Sequence, residues 1–95
     1  MHGNTALLHA CDRGHRDLVA LLLARGADVG RARADGTTPL ALASQFGRVA
    51  IVKTLIQHGA PMNPRAQDGA TPLAIAMKAG NMDIVKLLLV YSSGI

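Results

Sequence analysis

Four histidines, one cysteine and six aspartates are the side chains of this protein that could do chemistry. His2, His9, His15, His58 and Cys11 are the types that ligate zinc or act as base and nucleophile. Their spacing argues against both roles. His9 and Cys11 lie two residues apart, so on a helix they do not face one another. Neither has a companion pair at zinc-ligand spacing. No clearly basic group is placed to activate the Cys11 thiol. The acids are all Asp, and they recur along the chain without pairing as general acid and base. The glycines form neither a phosphate loop nor a dinucleotide fingerprint. The expectation is therefore no enzyme, no metal and no cofactor.

If the chain does no chemistry, the question becomes what its elements hold in place. At 95 residues it is one small domain, able to bury about two-thirds of its unfolded surface. Ala and Leu dominate the apolar half, with one Phe (Phe46), one Tyr (Tyr91) and no Trp. That composition favours helices, while Asp favours their starts and the turns between them. The net charge of +4 is spread from Arg13 to Lys86 without a dense basic run, which reads as a mildly basic, solvated surface. A single cysteine excludes an intramolecular disulfide and points to a reducing, intracellular setting, cytoplasm or nucleus. The N-terminal residues lack the layout of a signal peptide, and no apolar run approaches the length of a membrane span.

Shifting the sequence by 33 residues aligns it with itself without a gap. Gly3, Gly36 and Gly69 coincide, as do Thr5, Thr38 and Thr71. Leu7, Leu40 and Leu73 follow, then Ala10, Ala43 and Ala76, then Gly14, Gly47 and Gly80. Val19, Val52 and Val85, with Leu22, Leu55 and Leu88, complete the register. Three copies of one unit are implied, over 2–34, 35–67 and a shorter 68–95.

Each copy has a physical reading. Thr38-Pro39 and Thr71-Pro72 predict helix starts, the hydroxyl capping and the proline at the first helical position losing no needed donor. In the first copy Thr5-Ala6 keeps the threonine as the expected cap. A short helix follows and ends at Gly14, Gly47 or Gly80, glycine suiting the left-handed residue past a helix end. A second helix is predicted over about 17–25, 50–58 and 83–91, with Ile51, Val52, Leu55 and Ile56 on one face. Asp17, Asn81 and Asp83 are expected to supply negative or capping groups at its start. Asp35-Gly36 and Asp68-Gly69 are tight-turn signals in the connectors. One such unit cannot bury its apolar face alone, so the copies must stack.

With the period of 33, the Thr-Pro-Leu starts, the Gly ends and the Ile/Val-Val second helices, the whole chain resembles the ankyrin-repeat family. The resemblance implies an all-α solenoid of antiparallel helix pairs with projecting β-hairpin or turn loops. It implies a non-catalytic scaffold that binds a protein or peptide along the concave face. Three departures stand out. Leu8, Ala41 and Ala74 replace the family's histidine after Thr-Pro-Leu, removing its threonine–histidine hydrogen bonds. Arg33 and Ala66 stand where an Asp is usual. Ser92 replaces the terminal glycine of the third copy.

Carried over position by position, the hairpin part of the partner surface is Arg33, Ala34, Asp35 and Thr37, then Ala66, Gln67, Asp68 and Ala70, with Arg65 nearby. The first-helix part is Asp12 and Arg13, Gln45 and Phe46, Lys78 and Ala79. The copies disagree most in these columns, as a common scaffold with a position-specific surface would. Phe46 is the expected anchor, an exposed aromatic in a groove being a hot-spot type; the alternative is that it packs beneath the neighbouring hairpin. A second function class is a basic adaptor for an acidic polymer or membrane headgroups through Arg31, Arg33 and Arg65, with steep salt dependence as its signature. Asn63 occupies the hairpin slot that an asparaginyl hydroxylase modifies in many members of the family, with Leu55 at the upstream leucine position. Leu18, Val19, Leu21, Leu22 and Leu23 in the first unit, and Ile84, Val85, Leu87, Leu88, Leu89 and Val90 in the last, give the array two apolar ends. The expectation is a section of a longer array or self-association through those ends.

Overall fold

The computed structural model describes residues 3–62 and 71–92, with the backbone alone for 3–5 and 92. Among the described residues there are six helices and no strand: α1 (Gly3–Arg13), α2 (Arg16–Ala24), α3 (Pro39–Gln45), α4 (Val49–Gln57), α5 (Pro72–Ala79) and α6 (Met82–Ser92). The second helices each begin one residue before the predicted start.

The Thr-Pro starts form as the sequence implies. Thr38 and Thr71 are extended, and each hydroxyl accepts the backbone N–H three residues on, Ala41 at 3.1 Å and Ala74 at 3.2 Å. Proline disfavours the helical conformation in the residue before it, which places the boundary at the threonine. The first copy corrects the expectation there. α1 already runs from Gly3, so Thr5 lies within the helix and is not its cap. Ala6 replaces the proline, and nothing then forces the preceding threonine out of the helical region.

Helix ends are equally repetitive. Gly14, Gly26, Gly47, Gly59 and Gly80 all have positive φ. Just past each, a backbone N–H returns to the carbonyl five residues back: His15 to Ala10, Ala27 to Leu22, Arg48 to Ala43, Ala60 to Leu55 and Asn81 to Ala76, at 2.9–3.0 Å. These closures satisfy carbonyls the helix leaves open. α6 has no glycine at the equivalent point. It runs through Ser92 to 11 residues, against 9 in α2 and α4.

The helices form two rows. α3 packs between α1 and α5, and α4 packs between α2 and α6, while each pair closes on itself. The core lies between the rows: Leu7, Ala10, Cys11, Val19, Leu40, Leu42, Ala43, Ile51, Val52, Leu55, Ala76, Ile84 and Leu88. α3 is short and mostly of small residues. Every one of its residues except Gln45 is buried, because it has a neighbour on both sides.

Candidate interaction surface

The hairpin between the first two helix pairs is built by Asp35. The Gly36 N–H donates to the Arg33 carbonyl at 2.8 Å, and the Arg33 N–H donates to the Thr37 carbonyl at 2.9 Å. Gly36 has φ +87, the left-handed residue that closes such a turn. The Asp35 carboxylate then accepts the Thr37 backbone N–H at 2.9 Å and Arg33 Nε at 3.1 Å. Hydrogen bonds from the Thr37 side chain and backbone, followed by the Arg33 contact, lower the Asp35 pKa to about 2. The tip is thus an internally satisfied, charged loop with Arg33, Ala34 and Asp35 exposed and Thr37 half-buried.

The other described part of the expected surface lies at the C-terminal ends of the first helices. Arg13, Gln45, Lys78 and Ala79 are exposed and Asp12 is half-buried. Phe46 directly follows α3 and keeps 45% of its surface exposed. Arg65, Gln67 and Asp68, with Ala66, Ala70 and the candidate modification residue Asn63, lie outside the described residues.

Two residues beyond the expected set fix the spacing of these helix ends. Arg48 Nη2 donates to the Asp12 carbonyl at 3.0 Å. One repeat further, Asn81 Nδ2 donates to the Ser44 carbonyl at 2.7 Å and the Gln45 carbonyl at 3.2 Å. Each repeat therefore reaches back to the open carbonyls at the end of the previous first helix. Asn81 directly precedes α6, and its amide nitrogen is directed at α3, where it meets carbonyls the helix end leaves open. Asp17 and Asp83 do lie in the first turns of α2 and α6, where a negative charge suits the helix dipole. The clue in the sequence was that residues 15, 48 and 81 are His, Arg and Asn, different side chains that can all donate.

The chemistry-bearing residues are dispersed. Cys11 is fully buried and desolvation pushes its thiol up to about 12, which leaves no thiolate near neutral pH. His9 and His15 are exposed, and His58 Nδ1 sits 3.0 Å from the Thr54 carbonyl of its own helix. Among the described residues, no three His, Cys or Asp side chains converge as a metal site. No helix among them is long and apolar enough to cross a membrane.

Stacked helix pairs, a 33-residue period and left-handed glycines at matching points define a helical repeat array. The family model for ankyrin repeats, in three copies, matches residues 7–95, and the chain belongs to that family. Ankyrin repeats are generally modules for protein–protein interaction. The chain is also 49% identical over 39 residues to a protein of Mus musculus described as "Protein fem-1 homolog A-like". That match covers 41% of this chain and 6% of the relative, so the chain spans a small fraction of the relative's length.

Proposed function

We propose that the chain is a non-catalytic, intracellular recognition module whose partner is a protein or peptide. The partner lies along the surface made by the hairpin tips and the ends of the first helices. The observation that carries this reading is a division of labour between columns 33 residues apart. Ala10, Ala43 and Ala76, or Val19, Val52 and Val85, agree and are buried. Arg13, Phe46 and Ala79 disagree and are exposed. Within that surface Phe46 is the anchor, with Gln45 and Lys78 beside it in the same stretch of the first helices and Asp12, Arg13, Arg33, Asp35 and Thr37 as its polar surroundings. Arg65, Gln67 and Asp68, in the second connector of the sequence, belong to the same reading. The basic-adaptor alternative is less favoured, since Arg33 is paired with Asp35 at 3.1 Å. Asn63 is proposed as a hydroxylation site on its sequence setting alone, to be checked by mass spectrometry of the peptide from cells.

The test is a crosslinking capture of partners followed by titration of the purified partner against wild type, Phe46→Ala and Lys53→Ala. Phe46→Ala should weaken binding by about 2 kcal/mol with little change in unfolding midpoint. Lys53→Ala, on the exposed side of α4, should leave binding unchanged. Equal affinity for wild type and Phe46→Ala would remove Phe46 as the anchor. A steep fall in affinity with salt for all three would favour the basic-adaptor reading.

A further inference from the structure

We propose that the row of second helices carries a second docking surface, a groove between α4 and α6 that takes a short acidic segment of a partner protein bearing an apolar side chain. Val49 and Lys53 line it from α4, and Lys86, Leu87, Val90 and Tyr91 from α6. The four α6 residues share one face of that helix. Asp83 closes the groove at the start of α6. Its volume is about 590 Å³, and it is open to solvent. Such a groove suits a segment lying across it better than a small molecule, which needs most of its surface enclosed.

The exposure of the groove does not depend on what adjoins α6. Val90 and Tyr91 correspond to Ala24 and Arg25 in the first repeat and to Gln57 and His58 in the second. All six are exposed, Gln57 and His58 included, although α4 has a helix on either side. A pair following α6 would lie over Leu89, whose equivalents Leu23 and Ile56 are buried and half-buried beside the pairs that follow them. What changes in the third repeat is the residue type. These outward positions hold Ala-Arg and Gln-His in the first two repeats and Val-Tyr in the third, exposed by 56% and 45%. Tyr91 and Phe46 are the aromatic residues of the chain, and neither is in the core. An aromatic held at the surface is a common binding anchor.

The charge of the occupant follows from the lysines. Lys53 and Lys86 hold the same position in successive repeats, where the first has Ala20. Both are exposed, and neither is in an ion pair among the described residues. Two ammonium groups against the carboxylate of Asp83 leave the groove net positive. A carboxylate lying between the lysines is attracted by both, and a basic segment is repelled. An apolar side chain next to that carboxylate covers Val90 and the Tyr91 ring. This surface shares no residue with the one around Phe46, so Lys53 belongs to the groove alone.

Selection of a displayed library of random short peptides on the purified chain tests this, with circular dichroism confirming that each variant is folded. One enriched family should combine acidic residues with a large apolar one and bind wild type and Phe46→Ala alike. Tyr91→Ser and Lys86→Glu, both at exposed positions, should each weaken that family about tenfold or more. Replacing its acids by Lys should abolish binding to wild type and restore it on the double variant Lys53→Glu with Lys86→Glu. Absence of any enriched acidic family overturns the proposal, and so do acidic peptides that bind Tyr91→Ser as well as wild type. Peptides that all depend on Phe46 would overturn the groove and leave the Phe46 surface standing. Peptides that depend on Tyr91 and none on Phe46 would do the reverse.

Discussion

Gly47 and Gly80 hold the same place in successive repeats and the same left-handed backbone, with φ +72 and +77. Their surroundings differ. A β-carbon on Gly47 would meet the Asn81 side chain at 3.3 Å, whereas one on Gly80 would meet nothing within 4 Å. Gly47 belongs to the central repeat, covered on both sides, and Gly80 to the last described one. The contrast shows that a residue here has two determinants. Its own repeat sets its backbone, and at the faces between repeats the next repeat sets its packing, while columns such as Val19, Val52 and Val85 are buried in every repeat. The central and terminal repeats share the first and differ in the second.

The largest consequence is in the core. Leu55 and its equivalent Leu88 are buried, while Leu22, the equivalent in the first repeat, is half-buried. Leu55→Ala should cost about 3 kcal/mol and Leu22→Ala about 1 kcal/mol, read by urea unfolding. Equal costs would break the comparison, because burial would then follow the repeat and not its neighbours. Next come the glycines. Gly80→Ala should cost about 1 kcal/mol for the left-handed backbone alone. Gly47→Ala should cost more, since the Asn81 contact to α3 must give way as well. Comparable in size is the contact itself. Asn81→Ala should destabilise by about 1 kcal/mol through loss of its bonds to the Ser44 and Gln45 carbonyls. His15→Ala, at the matching but exposed position, should change stability by less than about 0.5 kcal/mol at concentrations where the chain is monomeric.

The smallest expected effect is at the hairpin. The folded-state pKa of Asp35 is lowered to about 2, below the unfolded value of about 3.9. The sign follows: its contribution to stability is present above about pH 4 and fades as pH falls toward 2. The Asp35 side chain is more than half exposed, so the effect on global stability is slight. Carboxyl titration by NMR should show Asp35 ionising near pH 2, with the Thr37 amide shift following the same curve. A midpoint near 4 would show that the hairpin bonds do not hold in solution.

Much of this was legible in the sequence because the structure is periodic. Thr38-Pro39 and Thr71-Pro72 gave both capped starts, since proline restricts the residue before it whatever the tertiary context. The left-handed glycines marked helix ends for the same local reason. What escaped was non-local or rested on a missing local signal. Thr5 looked like a cap because its column capped, but Ala6 lacks the proline that makes the boundary. Asn81 was legible as the residue at the start of its helix, but the partners of its amide nitrogen are 36 and 37 residues away. The candidate surface was legible only as columns of disagreement. Exposure of Gln45, Phe46 and Lys78 fits that reading, but two columns, Asp12/Gln45/Lys78 and Arg13/Phe46/Ala79, whose members share no residue type spell no partner chemistry.

Native-state hydrogen exchange, residue by residue, tests the central claim that neighbours, and not the repeat itself, decide how firmly each unit is held. Measured at a concentration where the chain is monomeric, the amides of α3 and α4 should exchange most slowly. Their equivalents in α1 and α2, and in α5 and α6, should open first from either end. Equal protection of the three repeats, or slowest exchange in a terminal one, would contradict the account.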